Sequence, residues 1–175
     1  MREAGGERFA VYGVENAAGT PVYVHAKVCV IDDIWATIGS DNFNRRSWTH
    51  DSELSAAVLD DTRDPREPQD PAGLGDGART YARDLRLQLM REHLDQQDDE
   101  GLVDPREAFE ALQQSARRLQ AWYDGGSVGV RPPGRLRPLV DPPLSATTKR
   151  WATVAYHRLY DPDGRPRSLR RRGQF

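Results

Sequence analysis

Cysteine and lysine are scarce in this sequence, and long apolar runs are missing. A single cysteine, Cys29, among 175 residues excludes an intramolecular disulfide framework. The four histidines and that cysteine form no cluster with zinc-ligand spacing, so neither a metal nor another cofactor is expected. No stretch approaches the ~20 apolar residues that a membrane-spanning helix requires. The opening residues MREAGGERFAVYGV lack a basic flank followed by an apolar run, which makes a cytoplasmic location the default expectation. Of 25 basic residues only Lys27 and Lys149 are lysine.

Charge is plentiful but uneven. Charged residues make up 30% of the chain and the net charge is −2. Residues 149–175 hold eight basic residues against two acidic ones, a net of +6, which leaves −8 for residues 1–148. Such a tail suits an anionic membrane surface, or a solvated chain end.

Valine-rich and aromatic runs at 8–14, 21–31, 34–39 and 52–59 predict strands. Asp32-Asp33 is placed to turn the second run into a hairpin with the third. Three prolines between 65 and 71 mark 60–76 as a loop. Ala78, Tyr81, Ala82, Leu85 and Leu89 recur at helical spacing and predict a helix over 77–95. A second helix starts at Asp104-Pro105 with Glu107 at capping-box spacing, carries a stripe of Ala108, Leu112, Ser115, Leu119 and Trp122, and stops at Gly125-Gly126. Five prolines in 131–143 argue against regular structure there. The reading is an α/β chain with a mixed β-sheet flanked by helices. It divides into a main half at 1–95, a helix of the same domain at 96–130, and a proline-rich connection with the basic tail at 131–175. The first strands need neighbours that the next residues do not supply.

The residues that suggest chemistry lie between 25 and 53. His25 and Lys27 share strand parity, so on a continuous strand they face one way about 7 Å apart. An imidazole can attack phosphorus or move a proton, and an ammonium can hold a phosphate oxygen. Given the composition, a His-x-Lys followed by Asp at this offset arises by chance roughly 0.005 times per chain. Asp32 has the opposite parity and sits at the turn, which gives it a structural role on geometry alone. Gly39-Ser40-Asp41-Asn42 then supplies backbone, hydroxyl and amide donors suited to phosphate. Glu53 is placed to accept the second ring N–H of His25. Cys29 shares the parity of Lys27 and reads as a small packing residue. Trp35 and Trp48 read as packing groups.

His25-x-Lys27-x4-Asp32 with Gly39-Ser40-x-Asn42 resembles the HKD motif of the phospholipase D superfamily. YVHAKVCVIDD, IGSDNFNRRS, DSEL and LRLQLMREHL resemble successive blocks of its second, C-terminal HKD half. The resemblance covers about residues 20–95 well, and Asp41 stands where many members have a small residue. It implies a partial phospholipase D-like fold and metal-free phosphohistidine chemistry shared between two HKD motifs, giving hydrolysis or transphosphatidylation of phospholipids. It further implies catalytic roles for His25, Lys27, Asp32, Asn42 and Glu53, with Lys27, Ser40 and Asn42 on the phosphate. His25 would be the general acid.

His50, His93 and His157 have no lysine two residues on, so the chain holds a single motif. Three expectations follow. The chain is part of a two-motif enzyme and inactive without a first-HKD half, or it is a single-motif phosphodiesterase or nuclease acting with a second copy of itself, or it is a non-catalytic relic of the fold. The blocks favour the first, and with it a phospholipid over a nucleic acid.

Overall fold

The computed structural model describes residues 2–140 and 144–172. The chain is α/β, as expected. Among the described residues the strands are β1 (Tyr12–Glu15), β2 (Pro21–Val22), β3 (Lys27–Ile31), β4 (Trp35–Gly39), β5 (Ser55–Leu59) and β6 (Leu136–Pro138). They form two three-stranded sheets, β2-β1-β6 and β3-β4-β5, where the sequence suggested one. The helices numbered here are α1 (Arg2–Gly5), α2 (Arg45–Thr49), α3 (Thr80–Leu94), α4 (Pro105–Asp124), α5 (Ala146–Ala155) and α6 (Arg167–Arg172). A π-helical turn, Tyr156–Tyr160, follows α5 directly.

Two compact units emerge. One comprises Met1–His25, Cys29–Ala36 and Ala57–Val140; the other comprises Ala26–Val28, Thr37–Ala56 and Asp141–Phe175.

In the first unit, α3 and α4 meet over Leu87, Leu94, Leu102 and Ala108, flanked by Met90, Ala111 and Leu112. The expected stripe of α4 is the buried one, with Ala108, Ser115 and Leu119 inside. Asp104 caps this helix by accepting the Arg106 N–H at 2.8 Å, and Pro105 fills the first turn where its missing N–H is harmless. Gly126, at φ +81°, closes the far end as a left-handed residue should.

Three expectations need correction. The proline-rich stretch contains β6, which pairs antiparallel with β1 through Tyr12↔Pro138, Gly13↔Arg137 and Val14↔Leu136. Proline is tolerated there because β6 is an edge strand, with only one side engaged. The first strand is thus supplied with neighbours on both sides, one of them more than a hundred residues away. It also starts later than expected, at Tyr12, because Gly6–Arg8 forms a 3-10 turn.

The third correction concerns the 21–31 run, which is not one strand. It breaks after Val22 and resumes at Lys27, because β2 pairs with β1 (Val14↔Val22) while β3 belongs to the other sheet. His25 therefore lies outside regular strand structure, and the parity argument linking it to Lys27 no longer holds. Lys27 and Cys29 still share a strand.

The hairpin turn is as expected. Asp32 and Asp33 both have φ of 56°, and the Ile34 N–H donates to the Ile31 carbonyl at 3.0 Å, as a two-residue primed turn requires. Asp32 is exposed, whereas Asp33 is buried. The Asp33 carboxylate accepts from Arg83 Nε at 3.1 Å and from Arg86 Nε and Nη2 at 2.6 and 2.7 Å. Arg83 also donates to Asp64 Oδ1 at 3.0 Å and to the carbonyls of Arg66 and Pro68. Its charge is buried but surrounded by acceptors, the condition for tolerating a guanidinium inside a protein.

Candidate functional site

The second unit gathers four of the residues singled out from sequence. Gly39 ends β4, and Ser40 follows it alongside the residues leading into β5. The Ser40 N–H donates to the Leu54 carbonyl at 3.1 Å, and the Leu54 N–H returns a bond to Ser40 Oγ at 3.0 Å. The Ser40 hydroxyl donates in turn to Glu53 Oε2 at 2.5 Å. Gly39 permits this close approach. A Cβ there would stand 1.9 Å from Ser55 Oγ and 2.6 Å from Ser55 Cα. The glycine of the Gly-Ser pair is thus required by strand packing, independently of any ligand.

Glu53 is held ionised below the usual carboxylate range. The Ser40 hydroxyl is the main cause and the Ser47 hydroxyl adds to it; desolvation opposes them, and the nearby charges of Lys27 and Arg46 act as lesser contributions in the lowering direction. Lys27, the half-buried first residue of β3, thus belongs electrostatically to the same cluster as Ser40 and Glu53.

Asn42 is exposed on the loop after Ser40. Its backbone is fixed on both sides: its N–H donates to Ser47 Oγ at 3.1 Å, and its carbonyl accepts from the Asn44 N–H at 2.8 Å. Asp41, the departure from the usual small residue, accepts the Ser55 hydroxyl.

Helix α2 went unread in the sequence. It begins at Asn44, whose side chain accepts the Ser47 N–H at 2.9 Å, and the Asn-x-x-Ser spacing was a visible cap signal. A second cap could not be read from spacing. Asp161, buried and 115 residues distant, accepts the Arg46 N–H at 3.0 Å. The Gly164 N–H donates to Thr49 Oγ1 at 2.9 Å from the same direction. The segment after α5 therefore braces the loop that carries Asn42. Phe43, on this loop, and Trp48, in α2, have ring centroids 5.8 Å apart, and both rings are exposed, so Trp48 packs at the surface and not in the core.

His25 falls in the first unit. It is exposed, and its ring lies 6.1 Å from that of Tyr23. Asp32 sits at the hairpin turn of the same unit. Cys29 is a half-buried free thiol. Among the described residues no three His, Cys, Asp or Glu side chains converge to hold a metal ion. No helix of the described residues is long and apolar enough to cross a membrane.

The second unit thus brings Lys27, the Glu53 carboxylate and a hydroxyl-amide loop together at a strand end, a set whose donors suit a tetrahedral oxyanion. Residues 4–64 match the family described as "Cardiolipin synthase, PLD-like domain". The chain is 42% identical over 81 residues to Phospholipase D1 of Schizosaccharomyces pombe, covering 45% of this chain and 6% of that protein. It is 39% identical over 94 residues to Phospholipase D of Phytophthora infestans, covering 51% and 5%. Phospholipase D zeta 1 of Arabidopsis thaliana is 40% identical over 81 residues, covering 44% and 7%. The chain spans only a small fraction of each relative's length. No solved structure matches it.

Proposed function

We propose that this chain, a member of the phospholipase D superfamily through residues 4–64, supplies the second-motif half of a phosphodiesterase acting on phospholipids. Relatives named phospholipase D support the substrate class. The observation that carries the reading is the Ser40–Glu53 bond beside Lys27, a polar cluster assembled from residues 27, 40 and 53 around the Gly-Ser turn.

The chemistry runs in two displacements. A histidine outside this motif attacks phosphorus; a P–N bond forms as the P–O bond to the headgroup alcohol breaks, and His25 gives its proton to the departing oxygen. His25 then takes a proton from water or an acceptor alcohol, whose oxygen attacks phosphorus and releases the first histidine. Lys27 and Asn42 stabilise the non-bridging oxygens, Ser40 supports them, and Glu53 is the acid that by motif position serves the histidine. Asp32, in this scheme, shapes the hairpin that follows Lys27 and does not touch substrate.

The sequence contains one His-x-Lys, so the attacking histidine belongs to a first-HKD half or to a second copy of the chain. Headgroup release from phosphatidylcholine vesicles by the assembled enzyme tests the roles. His25→Ala should abolish turnover, and Lys27→Arg should lower it roughly 100-fold by misplacing an oxyanion donor. Full turnover with His25→Ala overturns the proposal.

A further inference from the structure

Helix α5 and the π-helical turn after it present a face that the chemistry above does not use. Thr147, Arg150, Trp151, Val154, Ala155, Arg158 and Leu159 line a shallow groove of about 580 Å³. Their spacing of three and four residues places them along one side of a helix. Trp151, Leu159 and Tyr160 are 63%, 74% and 71% exposed, an unusual cost for large apolar groups in water. Two arginines, Arg150 and Arg158, stand within the same stripe.

Charge identifies what this face suits. The segment carries Lys149, Arg150, Arg158 and Arg165, and α6 adds Arg167, Arg170, Arg171 and Arg172. The two acids among them are already engaged. Asp161 accepts the Arg46 N–H, and Asp163 binds its neighbour Arg165 at 2.7–3.3 Å. The cationic excess therefore remains available outside the fold. An apolar aromatic stripe bordered by arginines is the pattern of a helix lying in a lipid interface, with rings at the acyl boundary and guanidinium groups at the headgroups. A nucleic acid would use the arginines and could stack on Trp151, but it would leave Val154 and Leu159 without a role.

We propose that α5, the π-turn and α6 form a docking element for an anionic lipid surface. Binding of this kind is separate from catalysis, so it can be tested on the chain regardless of turnover. Vesicle flotation with phosphatidylcholine alone and with phosphatidylcholine containing phosphatidylglycerol is the direct experiment. The unmodified chain should float with the anionic vesicles only, and release should follow as salt rises. Arg150→Gln and Arg158→Gln should each weaken binding about five-fold. Trp151→Ser with Leu159→Ser should abolish it, with circular dichroism unchanged. Equal binding to neutral vesicles overturns the proposal, as does salt-insensitive binding by the unmodified chain. So does tighter binding to a duplex oligonucleotide than to anionic vesicles, or loss of self-association with the apolar substitutions while vesicle binding persists.

Discussion

Asp33 and Arg83, fifty residues apart, form an ion pair in which neither side chain is open to solvent. The pair ties the β3–β4 hairpin to α3, and Arg86 closes on the same carboxylate from the next turn of that helix. Removing the acid would leave a guanidinium buried with fewer acceptors. Asp33→Asn should therefore cost roughly 3–5 kcal/mol of stability. Asp32→Asn, at an exposed left-handed position that asparagine tolerates, should stay within about 0.5 kcal/mol. Urea unfolding of both variants decides it, and the reverse order would show that the wrong aspartate has been given the anchoring role.

Neighbouring the same network, Asp64 is pulled down to about 2 by the hydrogen-bonded Arg66 guanidinium, against its own burial. A carboxylate depressed on folding stabilises the native state above its unfolded value near 4, and that stabilisation fades as pH falls toward 2. Stability measured by chemical denaturation should drop across that window, and Asp64→Asn should flatten the drop. An identical acid profile in the variant would remove Asp64 from the explanation.

Ser40 is the main reason that Glu53 holds its charge to a lower pH than an ordinary glutamate. Ser40→Ala should let Glu53 take up a proton at a higher pH, so the acid limb of the pH–rate profile of a competent assembly should move upward. A purely structural serine would lower the rate without moving that limb.

Gly39→Ala forces a methyl into the Ser55 backbone. A loss of roughly 1–3 kcal/mol is expected, in line with overpacking elsewhere. Ser55→Gly should not restore it, because the 2.6 Å clash with Cα remains. Full rescue would mean that only the Ser55 hydroxyl was in the way.

The parts of this fold legible in the sequence are those written in local spacing. The Asp32-Asp33 turn, the capped start of α4, its buried stripe and the Gly-Ser-x-Asn loop all depend on residues within a few positions of one another. The unread parts depend on distant partners. Nothing around residue 25 signals that Val22 pairs with one sheet while Lys27 opens a strand in the other. The Arg83 and Arg86 spacing on α3 shows which face they share, but not that Asp33 lies against it. Asp161 as a cap for Arg46 has no local signal at all. Lys27, Ser40 and Glu53 lie near one another because β4 sits between β3 and β5, an arrangement that the Asp32-Asp33 turn signals only for the first pair of strands.

The central claim is that catalysis needs two motif histidines and that each copy of this chain supplies one. Size-exclusion chromatography with light scattering, followed by assay of every peak against phosphatidylcholine vesicles and bis(p-nitrophenyl) phosphate, tests it most directly. The monomer peak should show no turnover, and any activity should run with a dimer and vanish with His25→Ala. A monomer that turns over either substrate would contradict the claim.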